Sequence, residues 1–220
     1  MRNIIIIGAS GHAKVLVDIV KMEGAYAVAG FVDAKHHAGE SFMGYPVLGH
    51  EDELPVLVSR LDVVGLLVAI GDNSTRQKVA ERACASCPGI PFVRAIHPSA
   101  TLACSAQLGE GSVIMAGAVV NPCSSIGAHC IVNTRASLDH DCVMDDYASL
   151  APGVCVGGNS KIGAFSAVGI GATIIHGVKI GAHSVIGAGA TVLKDVPDYT
   201  VAYGTPARPV RLRKEGERYL

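Results

Sequence analysis

The chain has 220 residues, of which 50% are hydrophobic and 17% are charged, and its formal net charge is -1. This composition is too apolar for a disordered chain, and the length suffices for two compact domains. The near-neutral charge and the lack of tryptophan give no basic stripe with interleaved aromatic residues, so nucleic acid is not an expected partner.

The first 95 residues predict alternating strands and helices. A β-branched run over residues 3–7 ends at Gly8, and the apolar residues that follow recur at helical spacing. This alternation indicates a small, Rossmann-like parallel sheet covered by helices. The predicted strands span 3–7, about 27–32 and 63–70, and residues 44–49 are predicted as a loop. The predicted helices are 11–23, a short helix from about 51, and a helix that residues 71–75 cap and that reaches about residue 85.

From Ile96 onwards the sequence repeats every six residues. Each sixth residue is aliphatic or methionine, and four residues after each of them comes only Ala, Ser, Cys or Val, through to Val196. Such a period predicts a parallel β-helix in which the aliphatic side chain points inward and the small one fits a tight corner. The aliphatic column comprises Ile96, Leu102, Leu108, Ile114, Val120, Ile126, Val132, Leu138, Met144, Leu150, Val156, Ile162, Val168, Ile174, Ile180, Ile186 and Val192.

Three segments follow from this pattern. Residues 1–95 form the α/β domain, and residues 96–197 form the β-helix, whose seventeen hexads make between five and six coils. Residues 198–220 break the period and are predicted to cap the open end of the prism, since an uncovered coil exposes sheet edges.

The turn after the first predicted strand is a candidate nucleotide site. Ser10 and Ala13 stand where the dinucleotide fingerprint requires glycine, so a mononucleotide or nucleoside diphosphate fits better than NAD. Amides at the helix start can bind a phosphate, and Asp33 can accept from a ribose hydroxyl. A βα turn without ligand is an equal alternative. Arg76 is a candidate cation for a diphosphate, against the alternative of a solvated helix charge.

Within the hexads, His140 is the candidate base. It holds the third place of its hexad, and one coil of eighteen residues later the same place is Gly158. Because adjacent coils lie about 4.7 to 4.9 Å apart, the sequence predicts an accessible Gly158 amide beside the imidazole. A base next to such an N–H is the minimum equipment for acyl transfer, and Asp141 or Asp139 can orient the ring. The alternative is a solvated or subunit-interface histidine, as for His129, His176 and His183.

The predicted compartment is the cytoplasm. Apolar stretches such as residues 63–70 are too short to cross a bilayer, and the N-terminal residues run directly into a predicted strand instead of a signal peptide. Cys84 and Cys87 form a Cys-x-x-Cys pair without a second pair at zinc-ligand spacing. We therefore expect reduced thiols, no bound metal and no membrane insertion.

These motifs together resemble one family, the sialic acid O-acetyltransferases and nucleotide-sugar N-acetyltransferases, and most of all its bacillosamine-type N-acetyltransferases. The resemblance covers essentially the whole chain. It implies a left-handed parallel β-helix, a homotrimer with active sites between subunits, acetyl-CoA as donor, and a UDP-linked 4-amino-4,6-dideoxy sugar as acceptor in bacterial glycan biosynthesis such as protein glycosylation. The motifs are Gly8-Ala-Ser-Gly-His12, Ile96-His-Pro-Ser-Ala100, Asn133-Thr134, Asp139-His-Asp-Cys142 and Ala151-Pro-Gly153.

The same resemblance implies a role for each matched residue. Ser149 stands where relatives can carry a second histidine that handles CoA or a proton, and Ala34 stands where a second acid can occur, which leaves the nucleotide open. The implied nucleotide site is Ser10, Gly11, His12, Asp33, Ala34 and Gly71, with Asn133 near the sugar; His140 is the base, Asp141 its acidic partner and Gly158 the amide at the thioester oxygen; Ile170 and Ala188 line the CoA arm.

Several alternatives stay open at this point. The expected mechanism is direct attack by the sugar amine on the thioester, and the rival is a covalent acetyl-enzyme on Cys142, which the inward position of that residue disfavours. The acceptor can instead be a GDP-linked amino sugar of the perosamine type, or sialic acid as an O-acetylation substrate. A non-catalytic β-helix scaffold and an NAD-dependent sugar dehydrogenase are the alternatives from other classes.

Overall fold

In a computed structural model of the protein, which describes residues 2–219, the chain divides into two compact units. One unit holds the residues up to Gly71 together with Thr75–Pro98, and the other holds Asp72–Ser74 together with the residues from Ser99 onward. The division falls within a few residues of the start of the six-residue period.

The N-terminal unit contains a five-stranded sheet in the order β3-β4-β2-β1-β5. Strands β1, β2, β4 and β5 run parallel, whereas β3 and β4 form an antiparallel pair. The predicted parallel sheet is thus confirmed. Its elements are β1 (Arg2–Ile7), α1 (Gly11–Glu23), β2 (Tyr26–Val32), β3 (Ser41–Phe42), β4 (Tyr45–Gly49), a 3₁₀ turn (Glu51–Glu53), α2 (Leu54–Arg60), β5 (Val63–Val68) and α3 (Asn73–Ser86).

Strand β4 corrects the prediction of a loop over residues 44–49. Val47 pairs with Phe31 of β2 and is only 1% exposed, so the segment contributes to the core. Gly30 permits the close approach, because a Cβ at that position would lie 2.6 Å from the Pro46 carbonyl oxygen. The Gly and Pro residues that suggested a loop instead allow one parallel strand to pack closely against another.

The strand order fixes where a ligand can bind in this unit. Strand β2 lies on one side of β1 and β5 on the other, so the chain changes direction across the sheet at β1. In open α/β sheets ligands bind beyond the carboxyl ends of the strands at such a switch point. The loops that begin at Gly8, Asp33 and Ala69 follow those strands.

The second unit is a parallel β-helix built from two-residue strands. Seventeen such strands begin at every sixth residue from Ala95 to Thr191, and residues eighteen apart pair, as Val119 does with Ser137. The strands form the three faces of a prism. They are β6 (Ala95–Ile96), β7 (Thr101–Leu102), β8 (Gln107–Leu108), β9 (Val113–Ile114), β10 (Val119–Val120), β11 (Ser125–Ile126), β12 (Ile131–Val132), β13 (Ser137–Leu138), β14 (Val143–Met144), β15 (Ser149–Leu150), β16 (Cys155–Val156), β17 (Lys161–Ile162), β18 (Ala167–Val168), β19 (Thr173–Ile174), β20 (Lys179–Ile180), β21 (Val185–Ile186) and β22 (Thr191–Val192).

The two predicted columns fill the interior of the prism. The aliphatic column is buried from Ile114 to Val192, and its first three members are half-buried because they belong to the first coil. Polar members of the small-residue column hydrogen-bond across coils: the Ser124 hydroxyl donates to the Asp139 carbonyl at 2.6 Å and accepts the Cys142 N–H at 3.0 Å. A small hydroxyl therefore fits the corner and satisfies backbone groups of the next coil.

The last coil departs from the six-residue period. The repeat predicts Val196 in the small-residue column, but Val196 pairs with Ile180 and its N–H donates to the Lys179 carbonyl at 2.9 Å. Val185 then pairs with Val201, sixteen residues further on instead of eighteen. The corner after Val192 is therefore two residues shorter than the corners before it. The prediction of an unbroken final hexad is wrong.

Residues 200–212 form a hairpin of β23 (Thr200–Gly204) and β24 (Ala207–Leu212). Strand β23 pairs parallel with β21, so the predicted capping segment continues one face of the prism by two strands. Among the described residues, no helix combines the length and apolarity that crossing a membrane requires.

The three corners of the prism carry different side chains. The aromatic corner stacks His129, Tyr147, Phe165, His183 and Tyr199 with ring centroids 4.6 to 5.3 Å apart. The glycine corner comprises residues 116–117, 134–135, 152–153, 170–171 and 188–189; the histidine corner comprises residues 122–123, 140–141, 158–159 and 176–177. The candidate base lies on the third of these.

Candidate active site

His140 lies at the histidine corner with about half of its side chain exposed (52%). Its Nδ1 lies 2.8 Å from Oδ2 of Asp141, a residue with φ +57°. The hydrogen bond with Asp141 and then the charge of Asp139 raise the pKa of His140 above its ordinary value. An acidic partner on Nδ1 leaves Nε2 as the nitrogen that can take a proton.

Asp139 supports the same turn from the other side. Its Oδ1 accepts the His140 N–H at 2.8 Å and the Asn121 Nδ2–H at 3.0 Å. These two hydrogen bonds lower the pKa of Asp139 below its ordinary value, and the one from His140 has the larger effect. The sequence reasoning missed Asn121, although its position eighteen residues before Asp139 was the signal that places it one coil below.

Gly158 lies directly under the imidazole, as the eighteen-residue coil predicts. A Cβ on Gly158 would lie 2.7 Å from His140 Nε2 and 2.8 Å from its Cε1. The prediction of an open amide is wrong, however, because Gly158 is buried beneath the ring and its N–H also helps to lower the pKa of Asp139. A ligand that uses this amide must therefore take the place of the Asp139 carboxylate as partner of the N–H.

Cys142, the thiol of the rival covalent mechanism, directly follows Asp141 and faces the interior. It is 1% exposed, and its Sγ donates to the Gly157 carbonyl at 3.3 Å. Burial raises the pKa of the thiol. Since the thiolate is the nucleophilic form, this environment disfavours an acetyl-cysteine intermediate.

The candidate nucleotide loop is held by the Asp33 carboxylate. Its Oδ2 accepts the Ala9 N–H at 2.8 Å, and its Oδ1 accepts the N–H groups of Lys35 at 2.8 Å and His36 at 3.0 Å. Burial raises the pKa of Asp33, but these three hydrogen bonds together hold it below its ordinary value. Asp33 thus joins the loop after β1 to the loop after β2, with Ser10 and Gly11 between Ala9 and the body of α1, and Ala34 next to Asp33.

Arg76 braces the loop after β5. It is 1% exposed, and its guanidinium donates to the carbonyl oxygens of Ile70 and Gly71, both at 2.9 Å. The alternative of a solvated helix charge is therefore wrong. A contact with a bound diphosphate stays a prediction.

His12 has a largely buried side chain with an enclosed Nε2. That nitrogen is buried and has no hydrogen-bond partner among the described residues. Burial, and then the charge of Arg76, lower the pKa of His12 to about 4. The imidazole is neutral at physiological pH, so it can accept or donate one hydrogen bond to a ligand at the switch point without carrying charge.

This low pKa predicts a pH dependence of stability. Unfolded His12 takes up a proton near pH 6.5 and folded His12 only near 4, so unfolding becomes easier as the pH falls from 6.5 to 4. The difference of about 2.5 units corresponds to about 3 kcal/mol. Urea unfolding at pH 7 and pH 4.5 should show a smaller loss of stability in His12→Gln than in the wild type; equal losses would contradict the assignment.

The remaining predicted site residues lie elsewhere on the prism. Asn133 directly precedes the glycine corner, to which Ile170 and Ala188 belong. Gly189 N–H donates to the Ile170 carbonyl at 2.8 Å and joins the last two coils of this corner. Ile170 is 62% exposed. Ser149 lies on the face opposite the histidine corner, with its Oγ 3.3 Å from the Tyr219 hydroxyl. One chain therefore brings together His140, Asp141 and Gly158 but not the predicted CoA residues.

Among residues 2–219, no group of three or more His, Cys, Asp or Glu side chains is arranged to hold a metal ion. The site consists of an oriented imidazole, a shielded amide and acidic groups that hold the ring. Such a set suits acyl transfer by general-base catalysis.

Comparisons with known proteins agree with this class. Residues 3–83 match the PglD N-terminal domain model, and residues 159–194 match the bacterial transferase hexapeptide (six repeats) model. The fold and the site thus define a hexapeptide-repeat acyltransferase, and the left-handed parallel β-helix predicted from the sequence is confirmed.

Solved structures and a curated relative specify the family. A histidine-to-alanine variant of GDP-perosamine N-acetyltransferase from Caulobacter crescentus, in complex with CoA and GDP-perosamine, is 39% identical with a TM-score of 0.90, and the match covers 96% of this chain and 98% of that one. The acetyltransferase domain of PglB from Neisseria gonorrhoeae, in complex with acetyl coenzyme A, is 37% identical with a TM-score of 0.88. That match covers 95% of this chain and 99% of the PglB domain.

The curated relative is UDP-N-acetylbacillosamine N-acetyltransferase of Bacillus subtilis, 37% identical over 119 residues. That match covers 53% of this chain and spans about half of the relative's length (52%). Because the Caulobacter and Neisseria structures match nearly the whole chain, the chain belongs to the nucleotide-sugar N-acetyltransferase family, as the motifs predict.

Proposed function

We propose that this protein transfers the acetyl group of acetyl-CoA to the C4 amine of a nucleotide-linked 4-amino-4,6-dideoxy sugar. The observation that carries the proposal is the exposed His140 imidazole, held by Asp141 and stacked on Gly158. Family membership supports the reaction class, since relatives with CoA or acetyl-CoA in their solved complexes share the whole fold.

In the proposed step, the neutral sugar amine attacks the thioester carbon while His140 Nε2 takes a proton from the amine. A C–N bond forms and the C–S bond breaks; the proton then passes to the leaving thiolate, which departs as CoA. Asp141 stabilises the imidazolium that exists between these two transfers. The buried Cys142 plays no covalent part.

The thioester oxygen needs a hydrogen-bond donor as negative charge develops on it. Gly158 N–H is the proposed donor, because Gly158 lies next to the His140 imidazole. The oxyanion would take the place of the Asp139 carboxylate as partner of this N–H, and a backbone donor that is already in position lowers the barrier.

The acceptor would be held in part by the N-terminal unit. The loops that carry Ser10 to His12 and Asp33 to Ala34, together with Gly71, offer helix-start amides and a neutral imidazole at the switch point of the sheet. Asn133 would contact the sugar.

A homotrimer is part of the proposal. In one chain His140 lies at the histidine corner, while Ile170 and Ala188 lie at the glycine corner and Ser149 on the opposite face. The separation supports an active site completed by the glycine corner of a neighbouring subunit, as the family resemblance implies. We keep the cytoplasm as the proposed compartment.

Two nucleotides are supported by different observations. The curated Bacillus relative, named for a UDP-linked sugar, supports UDP. The full-length likeness to the Caulobacter enzyme, whose complex holds GDP-perosamine, favours GDP as the second candidate. A CoA-release assay across UDP-, GDP- and dTDP-linked 4-amino sugars, with free sialic acid alongside, tests the proposal. Release with none of the amino sugars would contradict it, and release with sialic acid alone would assign O-acetylation.

The role of Asp141 predicts a shift in the pH profile. Because Asp141 raises the pKa of His140 and the base must be neutral, kcat/KM should fall on the acid side with a midpoint above 6.5. Asp141→Asn should move that midpoint to lower pH and reduce the plateau, and asparagine tolerates the positive φ of the turn. A kcat/KM profile between pH 5 and 9 measures both; an unchanged midpoint would contradict the pairing.

A further inference from the structure

A pair of hydrogen bonds connects the candidate base to the coil before it. Asn121 Nδ2–H donates to Asp139 Oδ1 at 3.0 Å, and the same oxygen accepts the His140 N–H at 2.8 Å. Asn121 is half-buried. Its amide side chain thus reaches across the coils to the turn that carries the imidazole. The equivalent places on four successive coils, eighteen residues apart, hold Ala103, Asn121, Asp139 and Gly157.

The Asp139 carboxylate has three N–H partners that act on it unequally. The His140 N–H lowers the pKa of Asp139 most, the Asn121 side chain comes next, and the Gly158 N–H contributes least. The two stronger partners both bind Oδ1. The Gly158 N–H can therefore exchange the carboxylate for the thioester oxygen while Oδ1 keeps its two hydrogen bonds.

The charge on Asp139 also acts on the imidazole. Asp139 and Asp141 flank His140 on its own turn, and the charge of Asp139 raises the pKa of His140 after the hydrogen bond with Asp141. At this corner the coil before presents residues 121–123 and the coil after presents residues 157–159, whose one titratable side chain is the Cys123 thiol. The place of the Asp139 carboxylate therefore decides how strongly its charge acts on the base.

We propose that Asn121 is a positioning residue for acetyl transfer. It anchors the Asp139 carboxylate beside His140, so that the carboxylate keeps its place when the thioester oxygen becomes the partner of the Gly158 N–H. The inference rests on the proposed function and deepens it. Asn121 touches none of the reacting atoms, because it acts through Asp139.

Two substitutions separate hydrogen bonding from the filling of space. Asn121→Ala should lower kcat by about five- to thirtyfold, with KM for both substrates little changed. Alanine is compatible with this place, because Ala103 holds it one coil earlier. Asn121→Asp keeps the size of the side chain but cannot donate at neutral pH, so it should lose at least as much activity. Normal kcat in Asn121→Asp would overturn the inference.

A double-mutant cycle tests whether the effect passes through Asp139. In an Asp139→Asn background, Asn121→Ala should cause little further loss of kcat, whereas independent residues would give losses that multiply. Ser105→Ala is the matched control, because the Ser105 hydroxyl accepts the Cys123 N–H across the coils at 3.0 Å. It should leave kcat unchanged. Multiplying losses in the double variant, or a similar loss of kcat in Ser105→Ala, would overturn the inference.

An NMR titration of the His140 ring measures the same effect without substrates. The pKa of His140 should be lower in Asn121→Ala than in the wild type, because the charge of Asp139 is no longer held beside the ring. An unchanged or higher pKa would overturn the inference. The expected shift in pKa, together with a wild type that acetylates no amino sugar, would overturn the proposed function instead.

Discussion

Replacing His140 by asparagine should lower kcat by roughly 10²- to 10⁴-fold, the usual contribution of a positioned general base. Asparagine keeps a polar side chain at the corner but has no nitrogen that accepts a proton near neutral pH. The side chain is half exposed and contributes little to the core, so the fold should survive. Steady-state CoA release at saturating acceptor measures the effect.

The control for this loss is a second exposed histidine. His50→Asn changes the same residue type in the N-terminal unit, at a side chain that is 51% exposed. It should retain wild-type kcat, and both variants should retain the circular dichroism and oligomeric state of the parent. A near-normal kcat in His140→Asn would contradict the assignment of His140 as the general base.

Gly158→Ala should abolish most activity without unfolding the protein. The new methyl group would lie 2.7 Å from His140 Nε2, within contact of the imidazole and of no closer backbone atom. Gly158 does not have a positive φ, so alanine fits the backbone. The ring must shift away from its hydrogen bond with Asp141, and the amide is then hindered as well. We expect a loss of kcat on the order of 10²-fold or more, since both the base and the oxyanion donor are disturbed.

The adjacent glycine provides a contrast. A Cβ at Gly157 would lie 2.6 Å from the backbone nitrogen of His176, so Gly157→Ala pushes two coils apart. That variant should lower thermal stability, whereas Gly158→Ala should lower kcat at nearly unchanged Tm. Equal losses of Tm in the two variants would show that Gly158 acts only in packing.

Much of the prism follows from the sequence because its period is strict. The aliphatic column, the small-residue column and the stacking of His140 on Gly158 all depend on counting by six and eighteen. The count fails in one place, after Val192, where a corner shortened by two residues places Val196 in register with Ile180. No composition signal in a hexad reports the length of its corner.

Other features could not be predicted because they depend on side-chain direction. Counting places Gly158 beside His140, but only the structure shows that Gly158 is buried and that its N–H interacts with the Asp139 carboxylate. Likewise Arg76 reads as a surface helix charge, yet its guanidinium turns inward to backbone carbonyls. The prediction of a loop over residues 44–49 is wrong because Pro46 and the nearby glycines favour a turn when the partner strand is not known.

The central claim is that the acceptor is an amine on a nucleotide-linked sugar. Its most direct test is the mass of the product formed from acetyl-CoA and a matched pair of nucleotide sugars that differ only in an amine or a hydroxyl at C4. We predict one acetyl group on the 4-amino sugar, stoichiometric release of CoA, and no product from the 4-hydroxy sugar. Acetylation of the hydroxyl compound, or of neither, would contradict the account.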